Sequence, residues 1–274
     1  MIKRIIKILS IPWFYKLYFS YFNSFFKINF SLEDKVIELN PNIIIFPTSA
    51  SDPISIDICR LTKKYKIKSL FLVDNWDNLS SKTILFEKPD HIAVWSQQAF
   101  EHATDIQGIQ PENISIIGNP RYAKYFLERE KKIKSKFNFN YVLFIGTTLA
   151  YDESNCMVIL DKIISKNNLD LKIVYRPHPW RQGRDSIIEL NLKNIVIDPQ
   201  LINSYKMKDN STNVQPDLNY YPSLLKNALF VVGGMSSMII ESLIFRKIYL
   251  ALTHEEPNNN ITSPSIVFKS YTHF

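Results

Sequence analysis

The sequence predicts an α/β protein made of two Rossmann-like domains, each built on a parallel sheet. Short β-branched runs alternate with helical patterns along the chain, as strands joined by crossover helices require. The pattern halts at Gly118-Asn119-Pro120-Arg121-Tyr122 and a charged stretch, then restarts. With 274 residues and 46% hydrophobic content, the chain has enough apolar surface for two modest cores.

Residues 1–27 carry five basic side chains and no acid, interleaved with aromatics from Trp13 to Phe25. Pro12 breaks the apolar run at 8–15, which is far short of the roughly 20 residues that cross a bilayer. An aromatic, basic helix is expected there, either lying on anionic lipid or packed on its own domain. Strands follow at 42–46, 69–73, 91–95 and 114–117, with helices at 54–65, 80–86 and 97–106. This first domain spans 1–122, and a basic linker is expected over 123–139. The second domain, 140–274, places strands at 141–145, 171–175, 194–197, 229–232 and 248–252. Its helices fall at 155–165, 220–227 and 237–245, and the polar stretch 203–217 reads as a loop.

A net charge of +7 fits nucleic acid, an anionic membrane or a phosphorylated small molecule. The basic residues cluster at the N-terminus and linker rather than on one strand face, which disfavours nucleic acid. Cys59 and Cys156 lie far apart in apolar segments and read as free thiols in a reducing cytoplasm. Neither a phosphate-loop lysine motif, a nucleophile elbow, nor a dinucleotide fingerprint occurs. The five histidines lack metal-ligand spacing, so no metal is expected.

Ligands of open parallel sheets sit at the carboxyl ends of the strands, and three such places in the second half suit an anion. Gly146-Thr147-Thr148 follows the first strand, offering backbone amides and two hydroxyls; by itself it also reads as an ordinary turn. Arg176-Pro177-His178-Pro179-Trp180-Arg181 follows the next, where prolines stiffen a segment bearing two fork donors and an imidazole, with Arg184 nearby. Gly233-Gly234-Met235-Ser236-Ser237 closes a strand and opens a helix, placing amides and hydroxyls at its positive end; the plainer reading is N-capping by Ser237. Glu241 lies four residues beyond Ser237 on the same face, one place too far for a capping box, where it can accept from ribose hydroxyls. Together these predict a nucleotide-phosphate site.

In the first half, Asp74-Asn75-Trp76-Asp77-Asn78 directly follows a strand. On the plainer reading, Asp77 or Asn78 caps the next helix. Alternatively, Asp77 or Asp74 deprotonates an acceptor hydroxyl while Trp76 stacks on a sugar and Asn78 binds it. Ser49, in the loop after the preceding strand, adds a hydroxyl to that acceptor side.

These residues also carry a family likeness. Asp74-Asn75-Trp76-Asp77-Asn78-Leu79-Ser80-Ser81-Lys82, Pro89-Asp90, Val94-Trp95, Gly118-Asn119-Pro120-Arg121, Arg176-Pro177-His178-Pro179, Ser236-Ser237, Glu241 and His273-Phe274 together resemble bacterial GT-B glycosyltransferases of surface-polysaccharide synthesis. The likeness spans roughly 40–274 and extends to capsule and lipopolysaccharide transferases, including Kdo and sialic acid transferases, and to CDP-glycerol glycerophosphotransferases. It implies a GT-B-like fold with two parallel sheets facing a cleft, and donor binding by Arg176, His178, Ser236 and Ser237. The first Rossmann strand with its glycine loop and a closing C-terminal helix, both expected of that group, have no counterpart here. An incomplete first sheet and a shortened second domain are therefore expected.

The resulting expectation is a metal-independent transferase moving a sugar from a nucleotide-activated donor to a surface glycan or lipid-linked acceptor. It needs no cofactor beyond the nucleotide sugar as substrate, and works in the cytoplasm at the inner face of the membrane through residues 1–27. Glycerol-phosphate transfer from CDP-glycerol, sugar-nucleotide epimerisation, and an inactive membrane-associated subunit remain as alternatives.

Overall fold

A computed structural model describes residues 8, 11–25, 27–48, 53–147, 153–178, 187, 189–202, 220–252 and 269. The chain divides into two compact units, Met1–Gly118 and Asn119–Phe274.

Among the described residues, the first unit carries helices α1 (Pro12–Phe25) and α2 (Phe30–Leu39) ahead of its sheet. Asn29 caps α2 by accepting the Leu32 amide, a start signal that the periodicity reading passed over. Strands β1 (Ile43–Thr48), β2 (Lys68–Val73), β3 (His91–Val94) and β4 (Ile114–Ile116) then pair in sequence order, all parallel. Helices α3 (Ile54–Tyr65) and α4 (Gln97–Glu101) make crossovers, and α4 runs on into a wide turn over His102–Ile106. Phe71, Ile92, Val94, Leu79 and Ala103 form the centre of the core.

One expected helix is absent. Residues 80–86 do not coil regularly; a single wide turn covers Asn78–Lys82, closed by the Thr83 amide on the Asn78 carbonyl. The cause is tertiary: the buried Gln107 amide donates to the Leu79 and Thr83 carbonyls and accepts from the Leu85 amide, replacing the bonds a helix would have made. Asp77 precedes this turn without capping it, so the plainer reading of that residue fails.

The second unit opens with α5 (Ala123–Glu130), inside the stretch expected to be a linker; Tyr125 of this helix is almost fully buried. Strands β5 (Tyr141–Ile145), β6 (Lys172–Arg176), β7 (Ile195–Ile197), β8 (Val231–Gly233) and β9 (Tyr249–Ala251) form a parallel sheet in the order β7-β6-β5-β8-β9. Among the described residues, helices α6 (Glu153–Lys166), α7 (Tyr221–Asn227) and α8 (Met238–Ile244) accompany this sheet. Every residue of β5 is buried, as befits a central strand covered on both faces. The chain moves outward from β5 to β7, then crosses back to β8. That reversal makes a switch point between the carboxyl ends of β5 and β8, where crevices of such sheets bind ligands. The first unit, with four strands in sequence order, shows no such reversal among the described residues.

Helix α1 is mostly uncovered: Trp13, Tyr21 and Phe25 are each more than 60% exposed. Phe19 is its inward anchor, stacked on Phe86 with ring centroids 5.4 Å apart. Among the described residues, no helix is long and apolar enough to cross a membrane.

Candidate functional site

Strand register brings three of the expected segments to one edge of the second sheet. Ile145 pairs with Arg176 on one side and with Gly233 on the other. Gly146, Pro177-His178 and Gly234 therefore leave the sheet side by side at the switch point. Two glycines permit this crowding. A Cβ on Gly146 would stand 2.8 Å from both the His178 amide nitrogen and Glu153 Oε2, and one on Gly233 would stand 2.6 Å from the Tyr249 hydroxyl and 2.7 Å from the Ile145 carbonyl.

The amides expected to cradle a phosphate after β5 are already used. The Gly146 amide donates to the Arg176 carbonyl at 2.8 Å, and the Thr147 amide donates to Glu153 Oε1 at 2.8 Å. Glu153, which the sequence reading missed, is fully buried and also accepts from the Tyr175 hydroxyl at 2.6 Å. A carboxylate in the first turn of the helix after a strand-end glycine was the available signal. Thr148 and Arg181, with Arg184, lie outside the described residues, as does Ser49.

Arg176 also differs from its expected role as a free phosphate donor. It is 6% exposed and pairs with the fully buried Asp198, while the same nitrogen donates to Gln200 Oε1 at 3.0 Å. Its guanidinium lies 4.5 Å from the centre of the Tyr221 ring. The Tyr220 hydroxyl donates to Asp198 at 2.6 Å, which together with burial pushes the phenol's pKa up. Arg176 is thus a structural ion in a buried network, standing at the site's edge rather than open to it.

At the start of α8, Ser237 makes no side-chain cap; the Ser236 hydroxyl accepts the Met238 amide instead. Gly234 is buried and its carbonyl accepts from the Tyr249 hydroxyl, whereas Ser236 and Ser237 are half-exposed. Capping therefore does not consume Ser237.

Glu241 sits at the heart of the unit, 1% exposed. Oε1 faces an Arg121 nitrogen at 3.4 Å, and Oε2 is buried with no hydrogen-bond partner among the described residues. Burial holds the carboxyl above its ordinary value, opposed by the Arg121 charge, the Tyr125 hydroxyl and the more distant Arg176. A buried acceptor left unpaired costs about 1–3 kcal/mol, and the neighbouring Tyr125 hydroxyl and Arg121 charge offset part of that cost. Arg121, from the Gly118-Asn119-Pro120-Arg121 segment, enters this site through a contact across 120 residues of sequence.

In the first unit, Asp74, Trp76, Asp77 and Asn78 share the loop after β2, pinned where the Trp95 indole donates to the Val73 carbonyl at 2.7 Å. The two carboxylates differ. Asp77 is buried and paired with Lys82 at 2.7 Å, leaving Oδ1 unpartnered among the described residues. Asp74 is exposed and accepts from the Asn78 amide; partial desolvation nonetheless holds its carboxyl above the ordinary value. Among the described residues, no cluster of three or more His, Cys, Asp or Glu side chains could hold a metal ion.

Two parallel sheets, the second with its switch-point site, define a GT-B-like α/β protein. The structure is similar to UDP-GlcNAc 2-epimerase from Methanocaldococcus jannaschii, at 12% identity and a TM-score of 0.51 over 83% of this chain. It is also similar to a protein assigned as a UDP-N-acetylglucosamine 2-epimerase from Listeria monocytogenes, at 13% identity and a TM-score of 0.56 over 82% of this chain. A glycosyltransferase from Rickettsia africae gives a looser likeness, at 15% identity and a TM-score of 0.47 over 84% of this chain and 64% of its own. The chain spans 66% of the Methanocaldococcus protein and 61% of the Listeria protein. No family model matches the sequence, and no curated protein does.

Proposed function

We propose that the chain is a sugar-nucleotide enzyme, and specifically a glycosyltransferase moving a sugar from a nucleotide-activated donor to a surface glycan or lipid-linked acceptor. The observation that carries the reading is Glu241, a buried carboxylate with one unpartnered oxygen in the unit whose switch point gathers Gly146, His178 and Gly234. A ribose diol would donate to the free oxygen of Glu241 once the side chains covering it move aside. Ser236, Ser237 and the chain after Gly234 face the donor phosphate, and His178 assists its departure. Arg176 contributes by holding β6 in place through its pairing with Asp198.

In the transfer, the bond from the anomeric carbon to the donor phosphate oxygen breaks and that oxygen keeps the electron pair. The acceptor hydroxyl oxygen bonds to the anomeric carbon, and its proton passes to an acid–base carboxylate. Asp74 suits that role better than Asp77, because Asp74 is exposed whereas Asp77 is buried and paired with Lys82. Trp76 flanks the acceptor, whereas Asn78, expected there as well, is buried and gives its amide to Asp74. The reading requires no metal, and places the protein in the cytoplasm, peripheral to the inner face of the membrane through α1. Epimerisation of a UDP-linked sugar is the second reading, supported by the Methanocaldococcus neighbour, which was solved with UDP-GlcNAc and UDP; transfer of glycerol phosphate is a third.

A thermal-shift screen with CMP, CDP, UDP, GDP and ADP tests the site, since a ligand of the folded state raises the melting temperature. One nucleotide is expected to stabilise the chain, and Glu241→Ala to abolish that shift. Absence of any shift, or a shift indifferent to Glu241→Ala, refutes the reading. Product analysis with the matching nucleotide sugar then separates transfer from epimerisation.

A further inference from the structure

A cavity of about 660 Å³ lies in the first unit between α1 and the segment that follows the Asp74–Asn78 loop. Tyr15 and Phe19 wall one side, with Ile84, Phe86 and Ile106 extending the apolar surface. Ile84, Phe86 and Ile106 are each more than 40% exposed, an open apolar lining of the kind that marks a binding surface.

Lys82, Lys88, Ser80 and Ser81 add cationic and hydroxylic groups to the lining. The Lys88 ammonium donates to the Leu85 carbonyl at 2.8 Å and to the Gln107 carbonyl, and no carboxylate pairs with it among the described residues. Desolvation lowers its proton affinity, a penalty that an anion beside it would offset. Lys82 is the cavity's link to chemistry, because its ammonium also contacts Asp77. Finally, α1 presents Trp13, Tyr21 and Phe25 outward from the same helix whose Tyr15 and Phe19 line the cavity. An aromatic helix free of acids is suited to lie at a lipid interface, and it would set the cavity at that interface.

We propose that this cavity binds a lipid phosphate, its hydrocarbon chain against Phe19, Ile84 and Ile106 and its phosphate between Lys82 and Lys88. The inference deepens the transferase reading by assigning the acceptor as lipid-linked, with the lipid phosphate seated next to the Asp74–Asn78 loop. The occupant is a membrane lipid, since a soluble phosphate would leave the apolar wall uncovered.

The test is calorimetric titration of the full chain with farnesyl phosphate below its micelle concentration, against inorganic phosphate. Farnesyl phosphate is expected to bind at least tenfold more tightly than inorganic phosphate. Lys82→Glu and Ile106→Glu, both at solvent-exposed positions, are each expected to weaken it tenfold or more. Trp13→Glu is expected to reduce partition onto anionic vesicles while leaving farnesyl phosphate affinity unchanged. Retention of affinity in both cavity variants, or equal affinity for the two phosphates, overturns the proposal. The same variants are also tested for nucleotide-induced stabilisation, which shows that they fold. Nucleotide binding without lipid binding removes the cavity assignment alone, whereas lipid binding without nucleotide binding leaves the cavity standing and removes the transferase reading.

Discussion

Replacing Arg176 by alanine should first be a stability experiment and only secondarily a binding one. The substitution strands Asp198, which is fully buried, without its cation. Removing one partner of a buried pair typically costs about 3–5 kcal/mol. Asp198 retains the Tyr220 hydroxyl at 2.6 Å and the Gln200 amide at 3.0 Å, which places the electrostatic loss near about 3 kcal/mol. Loss of the guanidinium over Tyr221 adds about 0.5–2 kcal/mol. Together these come to about 3.5–5 kcal/mol, which for a unit of this size corresponds to a fall in melting temperature of roughly 7–20 °C.

The assay is scanning calorimetry together with hydrogen exchange at the amides joining β6 and β7, including Ile173 to Asn194 and Asp198 to Tyr175. Arg176→Ala should lose protection there. Arg176→Met combined with Asp198→Asn should recover more than half of the loss, because no charge is then left buried alone. Parental stability in Arg176→Ala would refute the buried-pair argument, and so would a double variant as damaged as the single one. Only if nucleotide affinity falls further than the stability loss explains does Arg176 touch the ligand.

Glu241 makes a prediction about pH. Its folded-state pKa is raised above the ordinary 4.5 by burial, so the folded state binds that proton more tightly than the unfolded chain does. The burden of the buried charge is full above the raised value and is relieved as pH falls through it towards 4.5; Glu241→Gln should remove that relief, seen as a flatter melting temperature against pH. Gly146→Ala should destabilise by about 1–3 kcal/mol, because its Cβ would meet the backbone nitrogen of His178 at 2.8 Å, and chemical denaturation would report it. Burial pushes the Cys59 thiol up to about 12, so iodoacetamide at mildly alkaline pH should modify it in the unfolded chain and spare it in the folded one, as read by mass spectrometry.

The strands of each half along the chain and the choice of strand ends as the places to search were legible because they rest on local periodicity. Alternating apolar runs specify strands, and glycines at 146 and 233 mark where backbones approach closely. The carboxylate at 241 was legible too, by its spacing from Ser237. What the sequence could not disclose was which polar groups spend themselves on one another. Arg176 and Asp198 are 22 residues apart, Glu153 and Tyr175 likewise, and Arg121 and Glu241 are 120 apart. Their meetings depend on sheet order and register, in which β8 inserts beside β5 and β7 lies beyond β6. Gln107 shows the same effect in the first unit, since a side chain 28 residues from Leu79 replaces the bonds of a helix that local pattern alone predicts. Local sequence determined the elements and their ends. Only the tertiary structure decided that the arginine is a buried ion and that the Thr147 amide is already bound, while one oxygen of Glu241 is buried unpaired, because hydrogen-bond satisfaction is settled between elements rather than within them.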